Sequence, residues 1–263
     1  MFNNCYSKEE LIQLFKSIGI VRGMCVVVHV SMKKFGYIIG GAQTFNDALI
    51  ECLGDEGTLI MPLQCSENSD PASWDNPCVP FNVIDKIRNN YPAFDENNSD
   101  SYYMGRVVDN LRRRPGVVFS KHPNMSFIAY GQMAEYICNH HLLELGLGEN
   151  SPLASLYNLK ASTVLMGVDY DNATVLHLAE YRSGFRPYII QSASVIADGK
   201  KQRVKYLEED LNSDDFIDLG FQLEKNNLVK KYQINDLIIK VFKCDEVVNF
   251  GQKYFEQPLN YYK

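Results

Sequence analysis

The chain has 263 residues, 46% of them hydrophobic, and a formal net charge of −6. That length suits one large α/β domain, or one domain with a small appended lobe. The negative charge argues against a nucleic-acid-binding protein, which usually carries a basic patch, and it fits either attraction of a cationic substrate or ordinary solubility.

The predicted elements begin with a helix that follows a capping box at 7–10. A continuous apolar run at 24–30 is typical of a buried strand, with His29 near its carboxyl end. A helix at 42–53 and a second strand at 57–61 follow. Because strand, helix and strand alternate, we expect a three-layer α/β/α fold around a mixed sheet.

A long polar segment at 62–100 is rich in Asn, Asp and Pro, and we expect it to form a substrate-side loop with a short helix at 80–90. Beyond it, the pair Asp198-Gly199 predicts a hairpin turn. The sequence shows no repeat or linker, so a single domain over 1–263 is the simplest prediction. The remaining predicted elements are strands at 125–130, 162–168, 189–196, 202–207 and 237–242, and helices at 214–225 and from Asp245.

Apolar runs are all shorter than the roughly 20 residues needed to cross a bilayer, and Met1 to Cys5 lack the basic start and apolar core of a signal peptide. The seven cysteines are scattered, as expected for reduced thiols. We therefore expect a cytoplasmic protein without membrane contact. No H-E-x-x-H or cysteine–histidine spacing predicts a metal site, and no G-x-S-x-G or S-x-x-K motif predicts a serine hydrolase. The pair His140-His141 is expected to cap a helix end at the surface.

The segment 174–182 reads as a helix and places His177 three residues before Glu180. Positions i and i+3 share one helix face, so both side chains can point into one cavity. A histidine held by a carboxylate is a common general base near neutral pH. A buried structural histidine is the alternative that this spacing alone leaves open.

Two further patterns suit the binding of anions. Gly40-Gly41-Ala42 opens the helix at 42–53, where free backbone N–H groups and the lack of side chains let an anion approach, although a tight turn explains it equally well. Arg112 begins a run of three arginines that suits a phosphate or carboxylate, or simply a solvated helix end. Neither pattern is a Walker or dinucleotide motif.

Taken in order, the motifs of this chain resemble those of the aminoglycoside 3-N-acetyltransferase family. The matching blocks run from about 29 to 182, and many blocks in one order are strong evidence of homology. The blocks are His29-Val30-Ser31 with Phe35-Gly36, Gly40-Gly41-Ala42, Gly57 to Pro62, Asp70-Pro71 with Trp74, Pro92 to Asp95, Met104-Gly105, Arg112 to Gly116, Ser120 to Pro123 with Ser126-Phe127, Gly148 to Leu153, and Leu176 to Arg182.

This resemblance implies transfer of an acetyl group from acetyl-CoA to an amine, on an α/β fold unlike that of the common N-acetyltransferase superfamily. It implies that His177 is the general base, that Glu180 orients it, and that Asp70 faces the amine. The same resemblance requires no metal. The residues that it places on the coenzyme A side are Ser31, Gly40, Gly41, Ala42, Arg112, Ser120 and Ser126.

The family usually has serine where this chain has Val30, and often asparagine where it has Lys121. An aminoglycoside is a polycation, and the carboxylates that the long segment offers to it are Glu67, Asp70, Asp75, Asp95 and Asp100. The leading hypothesis is acetylation of the 3-amino group of 2-deoxystreptamine. A homo-oligomer is compatible with the sequence. The alternatives are acetylation of another amino sugar or small amine, and a non-catalytic coenzyme A binder.

Overall fold

The structure, a computed structural model, describes residues 4–74 and 77–257. The strands are β1 Cys5–Tyr6, β2 Cys25–Val30, β3 Tyr37–Ile38, β4 Thr58–Pro62, β5 Val118–Phe119, β6 Phe127–Gly131, β7 Ser162–Met166, β8 Tyr188–Ala197, β9 Lys200–Glu209, β10 Val229–Ile234 and β11 Leu237–Lys243. The α-helices are α1 Lys8–Ser17, α2 Gly41–Leu53, α3 Ile84–Asn90, α4 Gly105–Arg112, α5 Ala134–Cys138, α6 Pro152–Asn158, α7 His177–Ser183, α8 Phe216–Lys225 and α9 Cys244–Phe255.

A mixed sheet, with seven strands within the described ranges, forms the centre in the order β10-β11-β7-β2-β4-β6-β5. Strand β2 pairs in parallel with β4 on one side and with β7 on the other, whereas the outer pairings are antiparallel. The carboxyl ends of β2, β4 and β7 therefore meet at one edge. In open α/β sheets this edge is where ligands bind.

Alternate residues of β2 face opposite sides of the sheet, because side chains in a strand alternate. Val26 and Val28 join an apolar cluster with Phe15 of α1 and Phe45 of α2, whereas Val27 joins a second cluster with residues of α6, α7 and α9. Helices thus cover both faces of the sheet. The predicted three-layer α/β/α fold is confirmed.

A long hairpin, β8–β9, lies outside the sheet and holds the segment after β4. Its turn has positive φ angles at Asp198 (52°) and Gly199 (72°), as the sequence predicts for a tight hairpin. The amide of Asn68 donates to the carbonyl of Ser194 at 3.0 Å and accepts from the Ser194 N–H at 2.9 Å. These paired bonds fix the segment against the hairpin.

Most predicted elements agree with the structure to within two residues. Several elements were not predicted, among them the strand Val229–Ile234 and the helices Gly105–Arg112 and Pro152–Asn158. The segment 62–100 is less irregular than expected, because 3₁₀ turns at Ser66–Asn68 and Pro71–Ser73 precede the helix α3. None of the helices in 4–74 and 77–257 is long and apolar enough to cross a membrane.

Candidate active site

His177 is the first residue of α7 and lies beyond the carboxyl end of β7, after two 3₁₀ turns. Its Nδ1 lies 2.5 Å from Oε2 of Glu180, one helical turn later, as the i, i+3 spacing predicts. A carboxylate only accepts hydrogen bonds, so Nδ1 carries the hydrogen and Nε2 has a free lone pair. The pair therefore presents a basic nitrogen opposite the carboxylate.

Glu180 is completely buried, and its second oxygen is also paired. Nε of Arg186 donates to Glu180 Oε1 at 2.6 Å, and Nη2 of the same guanidinium donates to Asp215 Oδ2 at 2.5 Å. A buried carboxylate is costly unless it is paired and hydrogen-bonded. Arg186 supplies that compensation and leaves Oε2 for His177.

A cavity of about 190 Å³ lies beside His177. Val30 of β2 and Met61 of β4 line it, together with Val168 just beyond β7, so it opens at the carboxyl edge of the parallel strands. The His177 side chain is 12% exposed, and its ring packs edge-on against Phe216 with centroids 4.7 Å apart. The imidazole thus borders the cavity and is not sealed in the core.

His29 lines the same cavity and was not assigned a role from the sequence. Its Nε2 is buried and has no hydrogen-bond partner within the described part of the chain. Burial lowers the pKa of His29 to about 4, so the ring is neutral near pH 7. Because buried polar atoms are nearly always hydrogen-bonded, this nitrogen marks a position that a bound molecule can satisfy.

The predicted coenzyme turn lies just beyond β2. The Ser31 N–H donates to the carbonyl of Met166 at 2.9 Å, which joins the ends of β2 and β7. Gly40, with a φ of 80°, precedes the first residue of α2, and the space beside Gly41 is open to at least 4 Å from the position of a Cβ. Ala42 follows in the first turn of the helix. This is an accessible helix start, as the sequence predicts.

Ser120 and Ser126 are fully buried and do not face the cavity. The Ser120 hydroxyl accepts from the Phe127 N–H at 2.7 Å, and that of Ser126 donates to the Leu63 carbonyl at 2.7 Å. In this structure both hydroxyls hold the ends of neighbouring segments together. The expectation that they line the coenzyme side stays a prediction.

Arg112 also has a structural environment. Its guanidinium donates to the carbonyl of Ser99 at 3.0 Å, to the hydroxyl of Ser101 at 3.1 Å and to the carbonyl of Asn97. The side chain is 9% exposed. These contacts occupy three of the five N–H donors of the guanidinium, because the loop at 97–101 folds back onto it.

Asp70 lies in a different cleft from His177. Burial acts to raise the pKa of Asp70, but hydrogen bonds from Arg88, from Ser192 and from the N–H of Ala72 outweigh it and lower the pKa to about 2. The carboxylate is therefore ionised and already saturated. That Asp70 faces the amine, as the family resemblance implies, stays a prediction.

Of the described residues that line the His177 cavity, Asp171 alone carries a carboxylate. The other predicted acidic residues, Glu67, Asp95 and Asp100, do not line it, and Asp75 falls outside the described residues. Sequence patterns did not single out Asp171. It precedes the general-base candidate His177 by only six positions, and this proximity is the signal that identifies it.

His141 differs from its prediction as a surface cap. Helix α5 ends at Cys138, and the His141 ring is bonded to the hydroxyl of Ser120 at 2.9 Å and to the carbonyl of Gly146 at 2.6 Å. Burial, with His122 nearby, lowers its pKa to about 3. Within 4–74 and 77–257, no group of three or more His, Cys, Asp or Glu side chains is arranged to hold a metal ion.

Comparison with solved structures defines the class of protein. The crystal structure of the YokD protein from Bacillus subtilis is similar with a TM-score of 0.94 and 35% identity, covering 100% of this chain and 97% of that one. The aminoglycoside acetyltransferase AAC(3)-Xa is similar with a TM-score of 0.86 and 25% identity, covering 96% and 93%. The fold is that of these acyltransferases and is distinct from the common N-acetyltransferase superfamily.

Sequence comparison gives the family. The family model for aminoglycoside 3-N-acetyltransferases matches residues 27–256. A relative in Bacillus subtilis (strain 168), the SPbeta prophage-derived aminoglycoside N(3')-acetyltransferase-like protein YokD, is 37% identical over 250 residues, which are 95% of this chain and 92% of the relative. The chain belongs to the aminoglycoside 3-N-acetyltransferase family, as its motifs predict.

Proposed function

We propose that this protein transfers the acetyl group of acetyl-CoA to an aminoglycoside, at the 3-amino group of 2-deoxystreptamine, with His177 as the general base. The observation that carries the proposal is the 2.5 Å contact between His177 Nδ1 and Glu180 Oε2, beside a cavity at the carboxyl edge of the parallel strands. Membership of the family supports the reaction class.

The chemistry is a direct transfer between two bound substrates. The amine nitrogen attacks the thioester carbonyl, and Nε2 of His177 takes the proton that the amine loses. The C–S bond then breaks, and the proton passes to the departing thiolate. A positioned base contributes roughly 10²–10⁴-fold to such a step, and holding both reactants together removes the need for an acyl-enzyme.

Glu180 and Arg186 keep the base in the required state. Glu180 accepts from Nδ1, so it fixes the tautomer whose Nε2 accepts a proton, and it stabilises the imidazolium that forms. Arg186 holds the other oxygen of the same carboxylate, which restricts its rotation. The base is therefore oriented before any substrate binds.

The carbonyl oxygen gains negative charge during attack and needs hydrogen-bond donors. His29 is suited to this role, because it is neutral near pH 7 and its unpartnered Nε2 belongs to a ring that lines the cavity. The hydroxyl of Ser31, two residues later, and nearby backbone N–H groups are the other candidates. We assign the coenzyme to the side formed by Ser31 and the turn from Gly40 to Ala42.

Asp171 is the group that we assign to the cationic acceptor. Its Oδ1 accepts from Asn172 at 2.8 Å, which leaves the rest of the carboxylate exposed. One carboxylate is few for a polycation, and this favours a second candidate function, acetylation of another amino sugar or a small amine. The net charge of −6 favours encounters with either kind of cation.

The test is release of free thiol from acetyl-CoA in the presence of a panel of amines that contains 2-deoxystreptamine antibiotics and simple amino sugars. We expect turnover with an aminoglycoside and its loss in His177→Ala, with an unchanged circular dichroism spectrum. Turnover with amino sugars alone selects the second candidate. Coenzyme A binding without turnover by any amine, measured by calorimetry, refutes catalysis and indicates a binding protein.

A further inference from the structure

A second cleft, of about 600 Å³, lies between the long segment after β4 and the hairpin β8–β9. Its walls are fixed to each other by the Asn68–Ser194 bonds and by Lys201, whose ammonium donates to the carbonyls of Asn89 and Tyr91 at 2.9 and 3.0 Å. The cleft is therefore a rigid feature of the fold. It shares no lining residue with the His177 cavity.

The cleft is cationic in an acidic protein. Of the described residues that line it, Arg88, Arg203 and Lys205 carry positive charges and Asp70 carries a negative one. Arg88 is compensated by Asp70, with Nη2 and Oδ1 2.7 Å apart, and by Asp85 at 3.2 Å. Arg203 and Lys205 form no ion pair with a carboxylate anywhere in the described ranges. Three positive charges against one negative charge give the described lining residues a net charge of +2.

Arg203 is held in place by neutral acceptors only. Its Nε donates to the Ser192 hydroxyl at 3.0 Å and its Nη2 to the Ser69 carbonyl at 2.9 Å. Burial lowers the pKa of Arg203, the nearby carboxylate of Asp70 offsets part of this effect, and the neighbouring Arg88 lowers the pKa further. A half-buried guanidinium that donates only to neutral oxygens is incompletely compensated, and an anion that reaches it through the cleft stabilises it.

The hairpin places both charges on one face. Arg203 lies opposite Ser194, and Lys205 lies opposite Ser192, in the antiparallel register of β8 and β9. Residues two apart in a strand point to the same side, so the guanidinium and the exposed ammonium flank one patch of the cleft. Guanidinium and ammonium donors together form a set that suits a phosphate group.

We propose that this cleft binds a phosphate monoester. The net charge of +2 on the described lining residues matches the charge of about −1.5 to −2 that a phosphate monoester carries at pH 7. The group has two chemically equivalent sources in an acetyl transfer, the ribose 3′-phosphate of coenzyme A and a phosphorylated amino sugar. The binding site does not depend on the proposed function, since phosphate occupies it whether or not an amine is acetylated.

The test is calorimetric titration of the full chain with inorganic phosphate. We expect saturable binding that weakens at least tenfold in the double variant R203Q/K205Q. The Lys205 side chain makes no polar contact with described residues, so K205Q alone keeps the fold and is expected to weaken binding about threefold. The matched control is K200Q, which removes the same charge from the far end of β9 and leaves the affinity unchanged.

Two pairs of ligands distinguish the sources of the phosphate. If the double variant loses the preference for coenzyme A over dephospho-coenzyme A, the cosubstrate supplies it. If it loses the preference for glucosamine 6-phosphate over glucosamine, the acceptor supplies it. The proposal is overturned if the wild-type protein shows neither preference, or if K200Q weakens phosphate binding as much as K205Q. His177→Ala keeps phosphate binding, so failure of acetyl transfer is a separate result.

Discussion

Replacing Glu180 by glutamine removes one charge and keeps the shape of the buried side chain. The remaining carbonyl oxygen is expected to accept from Nε of Arg186, now 2.6 Å from Oε1, which turns the amide NH₂ toward His177. Nδ1 accepts in the favoured tautomer, so Nε2 carries the hydrogen there, and the tautomer whose Nε2 takes a proton becomes less populated. Loss of a charge-assisted hydrogen bond costs about 1.5–3 kcal/mol. At 1.36 kcal/mol per factor of ten, kcat/KM falls about 10- to 100-fold.

The assay is thiol release from acetyl-CoA at saturating and at limiting amine, because the argument requires kcat to fall while the KM for the amine changes little. Glu149→Gln is the matched control. Glu149 forms an ion pair of 2.6 Å with Arg182, which lies on α7 like Glu180, but its side chain is 59% exposed. It is expected to change kcat/KM less than twofold. A folded Glu180→Gln protein with the kcat of the wild type refutes the orienting role of this carboxylate.

Three further predictions concern stability and the oxyanion. Burial lowers the pKa values of His29, His122 and His141 to about 4, 4 and 3. Because these histidines bind protons below about pH 6.5 in the unfolded chain but not in the folded one, the free energy of unfolding falls as the pH drops from 6.5 to 4. The expected loss, measured by urea titration, is roughly 2 kcal/mol per histidine at pH 5. A pH-independent midpoint from 7 to 5 contradicts this. Gly40→Ala, at a φ of 80°, costs about 1 kcal/mol in the same assay, whereas an unchanged midpoint excludes backbone strain there. His29→Phe lowers kcat about 10²-fold with an unchanged circular dichroism spectrum, and an unchanged kcat removes His29 from the oxyanion site.

Local patterns account for most of what the sequence predicted correctly. The capping box predicted at 7–10 is present, with Ser7 Oγ accepting from the N–H of Glu10 at 3.2 Å. The Asp198-Gly199 turn and the His177–Glu180 contact likewise depend on residues within three positions of each other. Propensity, capping and helical periodicity act over this range, so a single sequence contains the necessary signal.

Interactions between distant segments account for what the sequence did not predict. Arg186 reaches Asp215 across 29 positions, and Asp70 reaches Ser192 across 122. Ser120 and Ser126 were assigned to the coenzyme side because their motif resembles the family's, yet both are buried in hydrogen bonds to other segments. No periodicity or spacing encodes such a partner, because it exists only after the sheet has brought the segments together.

Local patterns and distant interactions also determine different parts of the site: the first position the His177–Glu180 pair, and the second shape the surface that an acceptor amine meets. His177 and Glu180 lie on one helical turn, and the edge they face is fixed by the parallel pairing of β2 with β4 and β7. The charges that an acceptor meets come instead from loops and from the hairpin. Asp70 is an example, because Arg88 and Ser192 both donate to the carboxylate that the family resemblance assigns to the amine. Changes in these outer segments can alter the acceptor while the His177–Glu180 pair stays intact. Family membership therefore constrains acetyl transfer more tightly than it constrains the amine.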